Sequence, residues 1–455
     1  MRYGLIALCL TACQSLPERD LKQAAVSTPA GWQAGHHVGE AAVEHWVAAF
    51  ADPVLSRLVH SALLDNYDLR AAAARVNAAR ESAVIAGAVR LPQLSFTPGY
   101  QGAQVRDSGF ASTRTDAFEA LFNLSWEIDL WGRLYSAQQA AQREADALAA
   151  DFYGAGLSLA ARTAQSYFES SEADLQVQVA EQSVKDRRAI VELVRGRFNR
   201  GLTRGLDLRL VLTDLANAEA RLADARNQAQ AVARRLEVLL GRYPGGAILK
   251  TAQLPVPPAH LTAGLPSQLL ARRPDLVAAY ARLRSADARL SGAQRALLPR
   301  IALTASGGTS SSALADIVDP RAAVWNLAMG LVQPVFTGGR LQGDIRLNKA
   351  RVEEALNTYR STALNAFREV EQALAAEQWL RIREQALSEA VAQTEASRKL
   401  AVYSYRQGLI EILTLLDSYR STLDAQSAHL AVRRQLLNNR INLYLALGGS
   451  AYDAD

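Results

Sequence analysis

Apolar and polar residues alternate in two neighbouring stretches of the chain. In the first, Leu94, Phe96, Pro98 and Tyr100 fall on one face, and Ser95, Thr97, Gly99 and Gln101 on the other. In the second, Phe118, Ala120, Phe122, Leu124, Trp126, Ile128 and Leu130 oppose Glu119, Asn123, Ser125, Glu127 and Asp129. A period of two predicts strands with one apolar face. Directly after Gly132-Arg133 the period changes. A stretch without proline runs to about Phe198, with apolar steps of three and four at Tyr153, Leu157, Ala160, Ala164 and Tyr167, then Ile190, Val194 and Phe198. This predicts one very long helix with a seam for other helices. At 1.5 Å per residue it would span about 100 Å. Arg162, Glu169, Asp174, Lys185 and Arg187 are expected to face solvent or a lumen.

The same pattern is written twice. NYDLRAAAARVNAA at 66–79 matches RPDLVAAYARLRSA at 273–286, with Asp68 and Asp275 standing 207 positions apart. The offset holds for Pro92 and Pro299, for Gly132-Arg133 and Gly339-Arg340, for Gly201-Leu202 and Gly408-Leu409, and for Gly241 and Gly448. Prolines and Gly-Arg turns holding one register through irregular segments indicate a tandem repeat. Each half predicts a helix (about 54–90, then 267–297) stopped at Leu91-Pro92 or Leu298-Pro299, because proline lacks the N–H and restricts its predecessor. Two strands follow (about 93–130, then 300–336), then a long helix (the second from Arg340 to about Tyr405), a turn, and a helix capped at Gly241 or Gly448. Repeat 1 is thus 54–244 and repeat 2 is 267–449, with a proline-rich linker at 245–266 and a tail at 450–455.

Much of the apolar half of the composition is alanine and aromatics are few, which favours long, closely packed helices over a bulky core. The net charge of +5 is mild and its signs are interspersed, so no nucleic-acid stripe exists. The only cysteines, Cys9 and Cys13, lie in MRYGLIALCLTACQS. Leu10-Thr11-Ala12-Cys13 reads as a lipobox. Residues 1–12 would be a signal peptide, Cys13 the lipidated first residue, and 13–53 an extended segment. No run of about 18 apolar residues follows, so no transmembrane helix is expected. His36, His37 and His45 lie near Glu40 and Glu44, a weak pattern read as no metal site. No P-loop, HExxH, CxxC or nucleophile elbow is present, so the chain reads as no enzyme.

Strands with one apolar face fit a soluble sheet or a membrane barrel. The lipobox turns the reading to the barrel. Two strands per half give four per chain, which cannot close alone. Two copies would give a filled eight-stranded barrel and three a twelve-stranded conducting one.

Seven segments carry a family resemblance: HWVAAFADPVLSRLV at 45–59, SWEIDLWGR at 125–133, GLPSQLLARRPDL at 264–276, LLPRIALTASGG at 297–308, LVQPVFTGGRL at 331–341, NAFREVEQAL at 365–374 and YRQGLIEILTLLDSYR at 405–420. Together they resemble the TolC-like outer membrane efflux proteins, in particular the lipidated branch serving resistance-nodulation-division pumps. The resemblance implies an α+β membrane protein in the outer membrane of a Gram-negative bacterium. It would be a homotrimer, with a twelve-stranded β-barrel continuous with a periplasmic α-helical barrel, and would need no cofactor. Implied partners are a periplasmic adaptor, an inner-membrane transporter and outer-membrane lipid. The implied function is passive conduction of small molecules, drugs among them. A type I protein-secretion duct and a non-conducting helical lipoprotein stand as alternatives. By the same resemblance Leu413, Asp417 and Arg420 would form a periplasmic gate. Gly201, Leu202, Gly408 and Leu409 would sit at adaptor-docking tips. Gly132, Arg133, Gly339 and Arg340 would make the strand-to-helix turns, with Trp131 replaced by Gly338 in the repeat.

Overall fold

A computed structural model describes residues 24, 26, 28–34, 45–106, 112–247, 253–258 and 266–449. Cys9, Cys13, His36, His37, Glu40, Glu44 and the tail at 450–455 lie outside the described residues. The elements are α1 (Pro53–Asp65), α2 (Tyr67–Ala88), β1 (Gln93–Arg106), β2 (Ser112–Ile128), α3 (Arg133–Asn199), α4 (Gly205–Leu239), α5 (Pro266–Arg272), α6 (Pro274–Arg295), β3 (Arg300–Ser311), β4 (Ala323–Val332), α7 (Arg340–Arg406) and α8 (Ile412–Ala446). The bounds of α2, α3 and α4 recur in α6, α7 and α8 at the offset of 207.

The first expected helix is two. It breaks at Asn66, whose extended backbone (ψ 125°) ends α1. Asn66 then accepts from Leu69 N–H at 3.0 Å and donates to Leu239 O at 3.0 Å. An asparagine side chain that serves a helix start offers the backbone an alternative to continued helix. The equivalent residue, Arg273, also donates to a helix end, Ala446 O, at 3.1 Å. It pairs besides with Asp275 (2.7 Å) and Glu369 (2.8 Å). Burial opposes the charge of this guanidinium, but the two carboxylates outweigh it and hold its pKa above the ordinary arginine value.

The chain divides into two compact units. One takes Ala74–Ala150 and Ala278–Ser361 and holds the four-stranded antiparallel sheet, in order β1-β2-β3-β4. The apolar faces coincide across it. Leu94 pairs with Leu124, Phe96 with Phe122 and Tyr100 with Phe118. Phe122 then pairs with Gly307, and Gly307 with Trp325. Gly308 is needed where β3 meets β2, since a Cβ there would fall 2.0 Å from Ala120 O. Small residues pack the helices of this unit, with Ala147 and Ala150 against Ala278 and Ala281.

The other unit takes the described residues of Val26–Ala73, Asp151–Val277 and Thr362–Asp455. One apolar cluster in it joins Ile190, Val191 and Val194 of α3, Val211 of α4, Tyr405 of α7, and Ile412, Leu415 and Tyr419 of α8. The expected seam on α3 holds at Ala160, Ala164 and Tyr167, all buried, but Tyr153 is 62% exposed. Two residues expected to face solvent or a lumen are buried instead, Asp174 and Arg187. Asp174 accepts from Gln178 at 2.9 Å. Arg187 Nε lies 2.7 Å from Asp214 Oδ2, an ion-pair contact not aligned as a hydrogen bond, and Arg187 Nη1 donates to Ser183. A charge can be buried when a partner charge comes with it, and that partner sits on another helix.

Candidate functional site

Two places carry the expected site residues, the strand wall with its turns and the tips of the helix pairs. In the wall, the apolar face stays open in the single chain: Leu94 is 66% exposed, Trp325 83% and Met329 75%. An apolar face of that size needs a nonaqueous neighbour. The first strand-to-helix turn is tightly built. Gly132 has φ +75°, and its carbonyl accepts from Arg295 Nη1 at 2.9 Å. Arg133 pairs with Glu127 at 2.7 Å. Asp129 accepts from Leu134 N–H at 3.0 Å and Tyr135 N–H at 2.7 Å, capping the orphan donors of α3. The sequence pattern alone puts Asp129 only on the polar strand face. Trp126 and Trp131 donate to Arg90 O and Pro299 O, each at 2.8 Å. The second turn uses two glycines, Gly338 (φ +59°) and Gly339 (φ +82°), before Arg340.

At the tips, Gly201 (φ +70°) and Gly408 (φ +76°) make the left-handed turns. The next residues, Leu202 and Leu409, are 59% and 72% exposed. Leu202 N–H donates back to Arg197 O and Leu409 N–H to Ser404 O, both at 2.9 Å, a Schellman-type closure. Arg197 Nη1 donates to Tyr405 O at 3.2 Å and ties the two tips together.

Leu413, Asp417 and Arg420 lie on the first turns of α8 and are exposed in the single chain. With Arg209, Thr213 and Asp214 of α4 they line one cavity of about 460 Å³. Neither Asp417 nor Arg420 forms an ion pair within the chain among the described residues. Behind them Tyr419 is buried, and Arg398 lies over its ring at 5.3 Å while pairing with Asp186 at 2.7 Å. Burial, then the Asp186 charge, hold the Tyr419 hydroxyl above its ordinary pKa, so it stays protonated at neutral pH.

One site had no sequence signal. Glu371 accepts the backbone N–H groups of Gln33 and Ala34, both at 2.8 Å, and Trp32 packs on Phe367 at 6.3 Å. Residues 32–34 are thereby tied to α7. The equivalents of Phe367 and Glu371 in the first repeat are Ala160 and Ala164, which cannot hold them. No group of three or more metal-ligating side chains occurs among the described residues, and no described helix is long and apolar enough to cross a membrane.

A four-stranded sheet with one open apolar face, in a chain that also carries long paired helices, fits an outer-membrane conduit. The outer membrane efflux protein family matches residues 58–242 and again 265–449, and the chain belongs to it. That family is one of channels, not enzymes. The chain is 34% identical to the pyoverdine export outer membrane protein OpmQ of Pseudomonas putida, over 98% of this chain and 96% of that one. It is 30% identical to the cation efflux system protein CusC of Escherichia coli O6:H1, over 98% and 97%. The solved outer-membrane channel OprN superposes with a TM-score of 0.89 at 25% identity, covering 96% of this chain and 100% of that one.

Proposed function

We propose that three copies of this chain close a twelve-stranded barrel in the outer membrane and form the exit duct of a tripartite efflux pump. The observation that carries the reading is the open sheet, with β1 and β4 at its two edges. An edge in hydrocarbon leaves unpaired N–H and C=O groups, each costing several kcal/mol. Pairing β4 of one copy with β1 of the next satisfies both edges. Two copies would give a barrel whose interior side chains fill; three leave a water-filled lumen. Native mass spectrometry should show three chains, and the protein should form steady conducting pores in a planar bilayer. A stable monomer, or a trimer that does not conduct, would overturn the reading.

The duct engages a periplasmic adaptor through the tips at Gly201, Leu202, Gly408 and Leu409, and through it an inner-membrane transporter of resistance-nodulation-division type. Solutes pass passively, the pump supplying the work. The cargo in this reading is small molecules, drugs among them. The relatives' names, pyoverdine export and cation efflux, agree on small solutes and not on one chemistry, which fits a duct whose pump selects. In the closed state Leu413 and Asp417 from each copy narrow the periplasmic end, and Arg420 supplies the ion pairs that offset the like charges.

The domain organisation in this reading is a signal peptide at 1–12, a lipidated segment at 13–53, repeats at 54–244 and 267–449 arisen by duplication, a linker at 245–266 and a tail at 450–455. Cys13 carries the lipid. Incorporated palmitate label should vanish in Cys13→Ser, while transport persists in part because the barrel itself holds the protein in the membrane. Label that survives the substitution would refute the anchor.

A further inference from the structure

The outward face of the sheet ends abruptly in charge. Its apolar rows run from Ile128 and Ile301 up to Tyr100 and Phe118. On β2 that interval is ten residue steps, about 34 Å at roughly 3.4 Å per residue. A strand tilt of about 40° reduces it to about 26 Å, the height of the apolar band of outer-membrane barrels. The aromatic pair Tyr100–Phe118, with ring centroids 4.8 Å apart, closes the band, as interfacial aromatics do. The β1–β2 ladder does not stop there. It continues to Arg106↔Ser112, whereas the β3–β4 ladder ends at Thr309↔Ala323. The extra rungs place Asp116, Arg114 and Arg106 on the same outward face, in the layer just above the hydrocarbon.

These groups form an ordered cluster. Tyr100 donates its hydroxyl proton to Asp116 Oδ1 at 2.6 Å. Arg114 donates Nε to Asp116 Oδ2 at 3.1 Å and Nη2 to Asp116 Oδ1 at 3.2 Å. Its Nη2 also reaches the Tyr100 oxygen at 3.4 Å. Arg114 Nη1 makes no bond among the described residues, and the side chain is 68% exposed. Arg114 pairs across the ladder with Gln104, two residues from Arg106, so the two guanidiniums are diagonal neighbours on one face. Among the described residues of this cluster, Asp116 supplies the one negative charge against their two positive ones. Diagonal like charges are unfavourable without an anion between them, and a guanidinium edge matches phosphate oxygens.

We propose that Arg106 and Arg114 bind the phosphate of an anionic, phosphate-bearing lipid of the outer leaflet, with Asp116 and Tyr100 holding Arg114 in position. The proposal rests on the barrel reading. Its test uses the full-length trimer reconstituted with bisphosphorylated or monophosphorylated lipid A, retained lipid being counted by native mass spectrometry. The parent should retain the bisphosphorylated form several-fold better. Arg106→Gln/Arg114→Gln should lose about five-fold of that retention, and Arg321→Gln, at a separate paired arginine (Asp319, 2.6 Å), should lose none. Equal retention by parent and double variant would overturn the proposal, as would displacement of the lipid by millimolar inorganic phosphate, which would mark a free-anion site. Vesicle flotation keeps the two readings apart. A parent protein that fails to insert into any vesicle refutes the barrel, whereas insertion with equal retention refutes only the lipid site.

Discussion

At the scale of single residues, two glycines with nearly the same backbone carry different constraints. Gly201 has φ +70° and nothing within 4 Å of a built Cβ; Gly241 has φ +67°, but its Cβ would fall 2.6 Å from Asp65 O. Gly201→Ala should cost only the left-handed backbone term, about 1–2 kcal/mol. Gly241→Ala should cost about 3 kcal/mol or more, since backbone must also move. Thermal unfolding followed by far-ultraviolet circular dichroism compares them, and equal losses would show that the approach to Asp65 is not felt. Both glycines could be read as turns from sequence, because a turn is local. The approach to Asp65, 176 positions away, could not. The same limit hid the burial of Arg187, whose partner Asp214 is on another helix, and the hold of Glu371 on Gln33 and Ala34. A lone charged side chain looks alike in sequence whether water or a distant partner receives it.

At the scale of elements, periodicity was a good guide wherever one face meets one environment. The strand faces were legible because side chains alternate strictly and the apolar sets of β1, β2, β3 and β4 fall opposite one another. The long helices were legible because no proline interrupts them. Asn66 breaks the first helix without a proline: its side chain caps Leu69 N–H locally, and its second bond, to Leu239 O, exists only once α4 is in place. Adjacent residues of β2 test the assignment of faces. Phe122 is 54% exposed and packs, tilted, against Phe96 with ring centroids 4.9 Å apart, while Asn123 donates to Thr97 Oγ1 at 3.1 Å on the opposite face. Phe122→Arg should destabilise the membrane-inserted state by about 2–4 kcal/mol, and Asn123→Arg by about 1 kcal/mol or less. The readout is the urea midpoint of folding into bilayers. Similar shifts for both would mean that the two faces meet the same solvent.

At the scale of the whole molecule, the two repeats share a plan but not their chemistry. Leu413, Asp417 and Arg420 have Leu206, Leu210 and Thr213 as equivalents in the first half, so at these three positions only the second helix pair carries charge. Replacing Leu413 and Asp417 together by alanine should therefore raise bilayer conductance severalfold and sensitise cells to large antibiotics, with assembly unchanged. A normally assembled variant that conducts like the parent would place the constriction elsewhere. The open sheet has a genetic consequence as well. Its two edges, β1 and β4, are different strands, so each copy must offer one edge and receive the other. Such a head-to-tail ring tolerates no faulty member. In a cell making equal amounts of sound chains and chains with one ruined edge that still join at the other, about one ring of three in eight would be wholly sound. Lesions at β1 or β4 should thus behave as dominant, whereas lesions that prevent a chain from joining at all should be recessive.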